Sequence, residues 1–159
     1  MVQIELLNEE NEKYLLQIQR DNIPYEFVED VAFTINTAKF GVEHGYRGRC
    51  YAVKCADKYI GILLIGEAIE EEEDPDEVKG KVFFRILGYV IDSRYQGKGI
   101  GSVALNMAIG DIYNECGKVP LVLECYKENQ GAIRFYEKNG FVNTGVINED
   151  HGDYYLIKR

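Results

Sequence analysis

The chain has no long apolar run and no excess of positive charge. Its 159 residues contain 18 Lys and Arg against 27 Asp and Glu, which gives a formal net charge of -9. A surface of this sign repels phosphate backbones and anionic lipid, so we expect neither nucleic acid nor a membrane as a partner. The longest apolar stretch, 59–66, is too short to span a bilayer, and residues 1–5 do not resemble a signal peptide.

Patterns typical of metal sites and disulfides are also missing. The spacing of the four cysteines fits neither a zinc knuckle nor a Cys-x-x-Cys redox pair, and the two histidines are far apart in sequence. We therefore predict no metal, reduced thiols and a cytoplasmic location. The residues concerned are Cys50, Cys55, Cys116, Cys125, His44 and His151.

Length and composition predict one globular domain spanning residues 1–159. The chain is 46% hydrophobic and 28% charged, which is ordinary for a folded protein of this size. Changes of hydrophobic period give the order β-α-α-β-β-β-α-β-α-β-β, with the first two helices expected over 12–20 and from Phe27 to the loop at 43–48. This order predicts an α/β fold with a mixed sheet of about seven strands, four helices on both faces and one parallel crossover.

One segment is compositionally biased. Seven of the eight residues from Glu70 to Glu77 are acidic, and none has an apolar side chain to bury. We expect this acidic segment (70–77) to be a solvated loop.

A glycine-rich loop marks the candidate functional region. Gly97, Gly99 and Gly101 immediately precede a predicted helix, an arrangement that exposes backbone N–H groups to an anion such as phosphate. An alternative is that the glycines serve only the turn. The spacing also resembles a dinucleotide fingerprint, with Glu124 lying 23 residues further on, but Ser102 occupies the third glycine position and five residues separate the strand from the loop.

Two motifs together carry a family resemblance. The string Gln96-x-x-Gly99-x-Gly101 resembles the pyrophosphate loop of the GNAT N-acetyltransferases, and residues 129–141 resemble that family's second cofactor segment, Asn-x-x-Ala-x-x-x-Tyr-x-x-x-Gly-Phe. From 94 to 136 the sequence also looks like bacterial polyamine acetyltransferases. The resemblance implies the GNAT fold, acetyl-CoA as co-substrate, and transfer of acetyl to a primary amine through a tetrahedral intermediate. It further implies a small amine or polyamine as acceptor, and a homodimer.

The resemblance assigns roles to individual residues. Tyr136 matches the general acid that protonates the leaving thiolate, although its place on an apolar stripe also fits a core position. Asn129 is expected to contact the pantetheine arm and also to cap a helix. A backbone N–H near Tyr89 or Val90 is the expected oxyanion donor. The complete set of expected cofactor-binding residues is Tyr89, Val90, Ile91, Gln96, Gly97, Lys98, Gly99, Ile100, Gly101, Ser102, Asn129, Ala132 and Tyr136.

Three questions stay open at this level. The strand 82–91 has no carboxylate, so the general base is Glu124, Glu67 or a more distant group reached through water. The acidic segment either overhangs the acceptor site, where it would attract a polycation, or points away from it. The alternatives for function are a protein N-terminal or lysine acetyltransferase, and a domain that binds acyl-CoA without turnover.

Overall fold

The computed structural model describes all 159 residues. The chain forms seven strands and four helices, with short 3₁₀ turns at 76–78 and 93–95. Their bounds are β1 (Val2–Leu6), α1 (Glu9–Leu15), α2 (Val31–Glu43), β2 (Gly48–Cys55), β3 (Lys58–Glu67), β4 (Phe84–Ile91), α3 (Ile100–Cys116), β5 (Leu121–Tyr126), α4 (Gln130–Lys138), β6 (Val142–Asn148) and β7 (Asp153–Lys158).

All seven strands form one mixed sheet in the order β1-β2-β3-β4-β5-β7-β6. Only β4 and β5 run parallel, and helix α3 connects them. The fold class, the element order and the single parallel crossover are therefore confirmed. The final strand inserts beside β5, which brings the β6–β7 turn next to the carboxyl end of β5.

Helices cover both faces of the sheet because each strand alternates its side chains between two apolar cores. Helices α3 and α4 contribute Leu105, Ile109 and Ile133 to the larger core. Helices α1 and α2 contribute Leu15 and Ile35 to the core on the opposite face. We refer to these as the α3 face and the α2 face.

The first two helices differ from the expected ranges. Helix α1 begins earlier, because Asn8 accepts hydrogen bonds from the backbone N–H groups of Glu10 and Asn11 in a capping box. Helix α2 begins at Val31 rather than Phe27, since Asp30 caps it by accepting from the N–H of Phe33 at 2.7 Å. Residues 18–30 form an irregular segment instead.

A buried arginine holds that irregular segment. The guanidinium of Arg20 donates to the backbone carbonyls of Ile23, Val28 and Glu29. Arg20 is only 8% exposed, so these carbonyls are satisfied without helical hydrogen bonds. The segment therefore keeps a fixed shape beside the sheet.

The prediction that the acidic segment is only a solvated loop is wrong in part. Asp74 is 3% exposed, and its carboxylate forms an ion pair with Arg85 of β4. Two apolar side chains that follow, Val78 and Phe83, pack against β5 and β7. The segment is thus anchored to the α2 face, while Glu71 and Glu73 remain exposed.

No helix combines the length and apolar character needed to cross a bilayer. The cysteines are all free thiols, and no cluster of three or more His, Cys, Asp or Glu side chains is arranged to hold a metal ion.

Candidate active site

The site is built on a fork in the sheet. The parallel strands β4 and β5 pair only at Phe84–Leu121 and Arg85–Val122. Beyond these pairs the strands diverge, and a cavity of about 1480 Å³ extends through the gap and out onto the loops at this end of the sheet. Ligands in sheets of this kind bind at the carboxyl ends of the parallel strands, so the fork is the candidate site.

A β-bulge at Gly88 shapes one wall of the fork. The β3–β4 register shifts between Ile62 and Leu64, so β4 contains one extra residue. Gly88 has φ +63°, and an added Cβ would lie 2.1 Å from the Oγ1 of Thr34 on α2, so only glycine fits. The bulge turns Tyr89 to the α3 face and leaves backbone 88–90 lining the cavity.

The glycine loop lies where β4 passes into α3. Gly97 and Gly99 have φ values of +75° and +80°, and Gly99 is the N-cap of α3 without any side-chain cap. The 17-residue helix also has no acidic residue in its first turn. Its N-terminal amides are therefore free to bind an anion, and the helix dipole favours one there.

Side chains brace the loop from three directions. The Tyr89 hydroxyl donates to the carbonyl of Gly101 at 2.6 Å. The Gln96 amide donates to the carbonyl of Ile91 at 2.7 Å and accepts from Asn22 at 3.0 Å. These bonds fix the loop before any ligand binds, which lowers the entropic cost of binding.

Most of the residues expected to bind the cofactor line this cavity. They are Tyr89, Val90, Ile91, Gln96, Gly97, Gly99, Gly101, Ser102, Asn129, Ala132 and Tyr136. Two others do not line it. The ammonium of Lys98 lies over the Tyr95 ring, 5.6 Å from its centroid, and Ile100 packs into a small core with Val53 and Ile60.

Tyr136 lies across the fork. Burial raises the pKa of its phenol, and the nearby Tyr89 on β4 and Cys125 on β5 raise the pKa further. The phenol therefore keeps its proton throughout the physiological range and is able to donate it. Edge-on contacts with Phe135 and Phe141, at centroid distances of 5.1 and 5.6 Å, fix the ring.

Asn129 caps α4, as expected, by accepting from the N–H of Ala132 at 3.3 Å. The opposite end of α4 is joined to the glycine loop, because the Asn139 amide donates to the Ser102 hydroxyl at 3.1 Å and accepts from Asn106 at 3.0 Å. Neither Asn139 nor Asn106 is predictable from the sequence as a contact of the loop. Asn139 precedes Gly140, a pair typical of the end of a helix, and this pair gives no sign of the contact with Ser102.

The outer half of the cavity is strongly acidic. Seven carboxylates line the cavity. Its only lysine, Lys138, lies at the end of α4, next to Asn139, which donates a hydrogen bond to Ser102 of the glycine loop. The carboxylates come from the irregular segment, the acidic segment, β5 and the β6–β7 hairpin: Glu26, Glu29, Glu71, Glu73, Glu124, Asp150 and Asp153.

Of the two candidate bases, only Glu124 lines this cavity. Burial raises the pKa of Glu124; Arg85 opposes the shift, while Glu71 and Asp153 add to it. The Asn148 amide donates to Glu124 at 3.5 Å. Glu67 accepts instead from the backbone and guanidinium of Arg47, and these bonds lower its pKa.

An aromatic contact closes the wall between segments that are far apart in sequence. Phe27 of the irregular segment and Tyr126 at the end of β5 have ring centroids 5.8 Å apart. Neither residue was predicted from the sequence, because Phe27 was expected to begin the second helix and Tyr126 follows the strand expected over 120–125.

Comparison with known proteins places the chain among acetyltransferases. The family model described as Acetyltransferase (GNAT) family matches residues 12–141. The spermine/spermidine N(1)-acetyltransferase of Bacillus subtilis (strain 168) is 25% identical over 163 residues, which cover 99% of this chain and 97% of that protein.

Two solved structures share the fold. An aminoglycoside acetyltransferase in complex with coenzyme A has a TM-score of 0.75 at 20% identity, with 99% of this chain and 94% of that chain covered. The spermidine N-acetyltransferase of Vibrio cholerae, in complex with CoA and spermine, has a TM-score of 0.68 at 18% identity, with 98% and 94% covered.

Proposed function

Because this chain belongs to the GNAT acetyltransferase family and is an acetyl-CoA-dependent N-acetyltransferase, we propose that it acetylates a primary amine of a linear polyamine. The observation that carries the proposal is the acidic outer half of the cavity. A polyamine presents several ammonium groups at once, and a cavity lined by seven carboxylates and one lysine concentrates such a cation.

The curated relative supports the same class of acceptor, since its name is that of a spermine/spermidine N(1)-acetyltransferase and its match runs along nearly the whole chain. Carboxylates from four separate segments meet in this cavity, so the charge belongs to the site and not to one acidic run.

The inner half of the cavity fits acetyl-CoA. The uncapped amides of α3 and the left-handed Gly97 and Gly99 suit a pyrophosphate. The gap between 87–91 and 123–126 suits the pantetheine arm, whose amides pair with strand edges as an added strand would. Asn129, at the start of α4, is placed to contact that arm.

Acetyl transfer needs three things: a free amine, stabilisation of an oxyanion, and a proton for the departing thiolate. We assign the proton to the phenol of Tyr136, which is half-buried, lines the fork and stays protonated. Glu124 is the group assigned to take the proton from the acceptor ammonium, because it lines the cavity and has no cationic partner within ion-pair distance. The backbone N–H groups at the Gly88 bulge are the oxyanion donors.

Thiol release with an amine panel tests this function. Purified enzyme is incubated with acetyl-CoA and, separately, spermidine, spermine, propylamine, an aminoglycoside and a lysine-containing peptide. We expect free CoA to form fastest with the polyamines. Faster release with the peptide would support protein acetylation, and no release above hydrolysis with any amine would support a domain that only binds acyl-CoA.

A further inference from the structure

A second cavity of about 730 Å³ lies on the same face of the sheet, between α2 and the acidic segment. Four residues line both cavities, so the two meet along a shared boundary. These are Phe33, Glu71, Leu87 and Glu124. Because Glu124 and Glu71 belong to this boundary, the second cavity begins where the proposed acceptor nitrogen is deprotonated.

The second cavity has a net negative charge, although four cationic side chains line it. Each of the four already forms an ion pair with a carboxylate: Lys39 with Glu12 at 2.9 Å, Arg47 with Glu67 at 3.2 Å, Arg49 with Asp111 at 3.4 Å and Arg85 with Asp74 at 2.8 Å. Four lining carboxylates have no cation within ion-pair distance, namely Glu9, Glu43, Glu71 and Glu124. The charge of the lining therefore favours a cationic ligand over an anionic one.

The rest of the lining is largely apolar. Leu64 and Leu87 form the floor from the sheet, while Phe40, Ala68 and Ile69 contribute from the sides. A neutral apolar ligand would leave the four unpaired carboxylates without a counter-charge, and it would further desolvate the half-buried Glu124 at a cost in free energy. A flexible chain that alternates methylene groups with ammonium groups satisfies both parts of the lining.

We infer that the second cavity binds the distal, non-reacting end of the polyamine acceptor. The inference depends on the proposed function, and it adds that the enzyme distinguishes long polyamines from short ones. The reacting amine lies in the fork near Tyr136, the chain crosses between Glu71 and Glu124, and its far ammonium reaches Glu43. A long polyamine uses both cavities, whereas a short diamine occupies only the first.

Filling the second cavity tests this inference. Thr37 lines only that cavity, on the half-buried side of α2, so Thr37→Trp fills the groove without touching the fork. The matched control is Asn36→Trp, one residue away on the exposed side of the same helix. A second pair compares Glu43→Gln in the groove with Glu137→Gln on the exposed side of α4.

The readout is kcat/KM for spermine and for 1,3-diaminopropane. We expect Thr37→Trp to lower the value for spermine by about tenfold or more, a size typical of steric misfit in a pocket, and to leave the diamine value unchanged. Glu43→Gln should lower the spermine value about threefold, as expected for loss of one exposed ion pair. Both control variants should match the unsubstituted enzyme.

Two outcomes overturn the inference and are distinguishable. If the unsubstituted enzyme acetylates polyamines but Thr37→Trp keeps the same ratio of spermine to diamine, the second cavity does not bind the substrate and the proposed function stands. If the unsubstituted enzyme acetylates no polyamine, the proposed function fails, and this inference fails with it.

Discussion

Arg85 and Asp74 form a bidentate ion pair in which the guanidinium nitrogens lie 2.8 and 2.9 Å from the two carboxylate oxygens. Asp74 also accepts from the N–H of Glu71 at 2.7 Å, and Arg85 donates to the carbonyl of Ile69 at 3.0 Å. The side chains are 8% and 0% exposed, so water does not compete for these bonds. This pair fixes Glu71 at the boundary between the two cavities.

Breaking this pair should destabilise the protein, because one charge is left buried without a partner. We predict that Asp74→Asn and Arg85→Met each lower the free energy of unfolding by about 3 kcal/mol or more. The double variant Asp74→Leu/Arg85→Met, which removes both charges, should recover most of that loss. Urea denaturation of the three variants measures this, and a loss in the double variant as large as the sum of the two single losses would show that the charges are not coupled.

The same double variant separates stability from specificity. It folds, on this account, but no longer holds the acidic segment by an ion pair. Its kcat/KM should fall for spermidine more than for propylamine.

Gly99→Val should abolish binding of acetyl-CoA. The residue has φ +80°, a conformation that a β-branched side chain strongly disfavours. The matched control is Gly110→Ala in the middle of α3, where nothing lies within 4 Å of the added Cβ. Isothermal titration with acetyl-CoA should detect no binding to Gly99→Val and unchanged binding to Gly110→Ala. Unchanged affinity in Gly99→Val would remove the loop from the cofactor site.

Tyr136→Phe should reduce kcat by about 10²-fold, the usual scale for loss of one positioned acid, while acetyl-CoA binding remains. Tyr113→Phe is the control, since the Tyr113 hydroxyl is buried, has no hydrogen-bond partner and does not line the cavity. Stopped-flow or steady-state thiol assays report the difference. Equal kcat values for Tyr136→Phe and the unsubstituted enzyme would return Tyr136 to a packing role.

The pH dependence of kcat/KM should report Glu124. Because Glu124 takes the proton from the acceptor ammonium, kcat/KM should be nearly flat below the pKa of the amine and fall about tenfold per pH unit once the carboxylate itself is protonated. Burial raises the pKa of Glu124, so this fall begins at a higher pH than it would for an exposed carboxylate. In Glu124→Gln only the free amine reacts, so kcat/KM should be lower and should fall about tenfold per pH unit from the pKa of the amine downward. A flat region that persists in the variant would assign the base to another group.

Regular elements were predictable wherever one hydrophobic period extends over the whole element. Strand β1, helix α3 and the β6–β7 hairpin all satisfy this condition. The glycine loop was also predictable, because its glycine spacing is visible in the sequence without knowledge of the tertiary structure. The irregular segment 18–30 was not predictable, because the carbonyl acceptors of Arg20 leave no pattern in the sequence.

The acidic outer half of the cavity was not predictable for a different reason. Glu29, Glu71 and Asp153 come from three distant segments, and they meet only because β7 inserts beside β5 in the strand order. Composition identified an acidic run but not which of its members face the cavity. Asp74 is the clearest case, since an acid in a highly charged run is normally solvated and this one is buried against Arg85.

The central claim is that carboxylates in the cavity select a polycationic acceptor. The most direct test measures the ratio of kcat/KM for spermidine to kcat/KM for propylamine, at low and at high salt. The ratio is compared between two double variants, Glu71→Gln/Glu73→Gln and Glu72→Gln/Asp76→Asn. Both variants remove two charges from the acidic segment, but only the first pair lines the cavity. We predict that the ratio falls in the first variant alone and that its salt dependence weakens there, since exposed charges are screened over about 8 Å at physiological salt. An unchanged ratio in the first variant, or an equal fall in both, would contradict the claim.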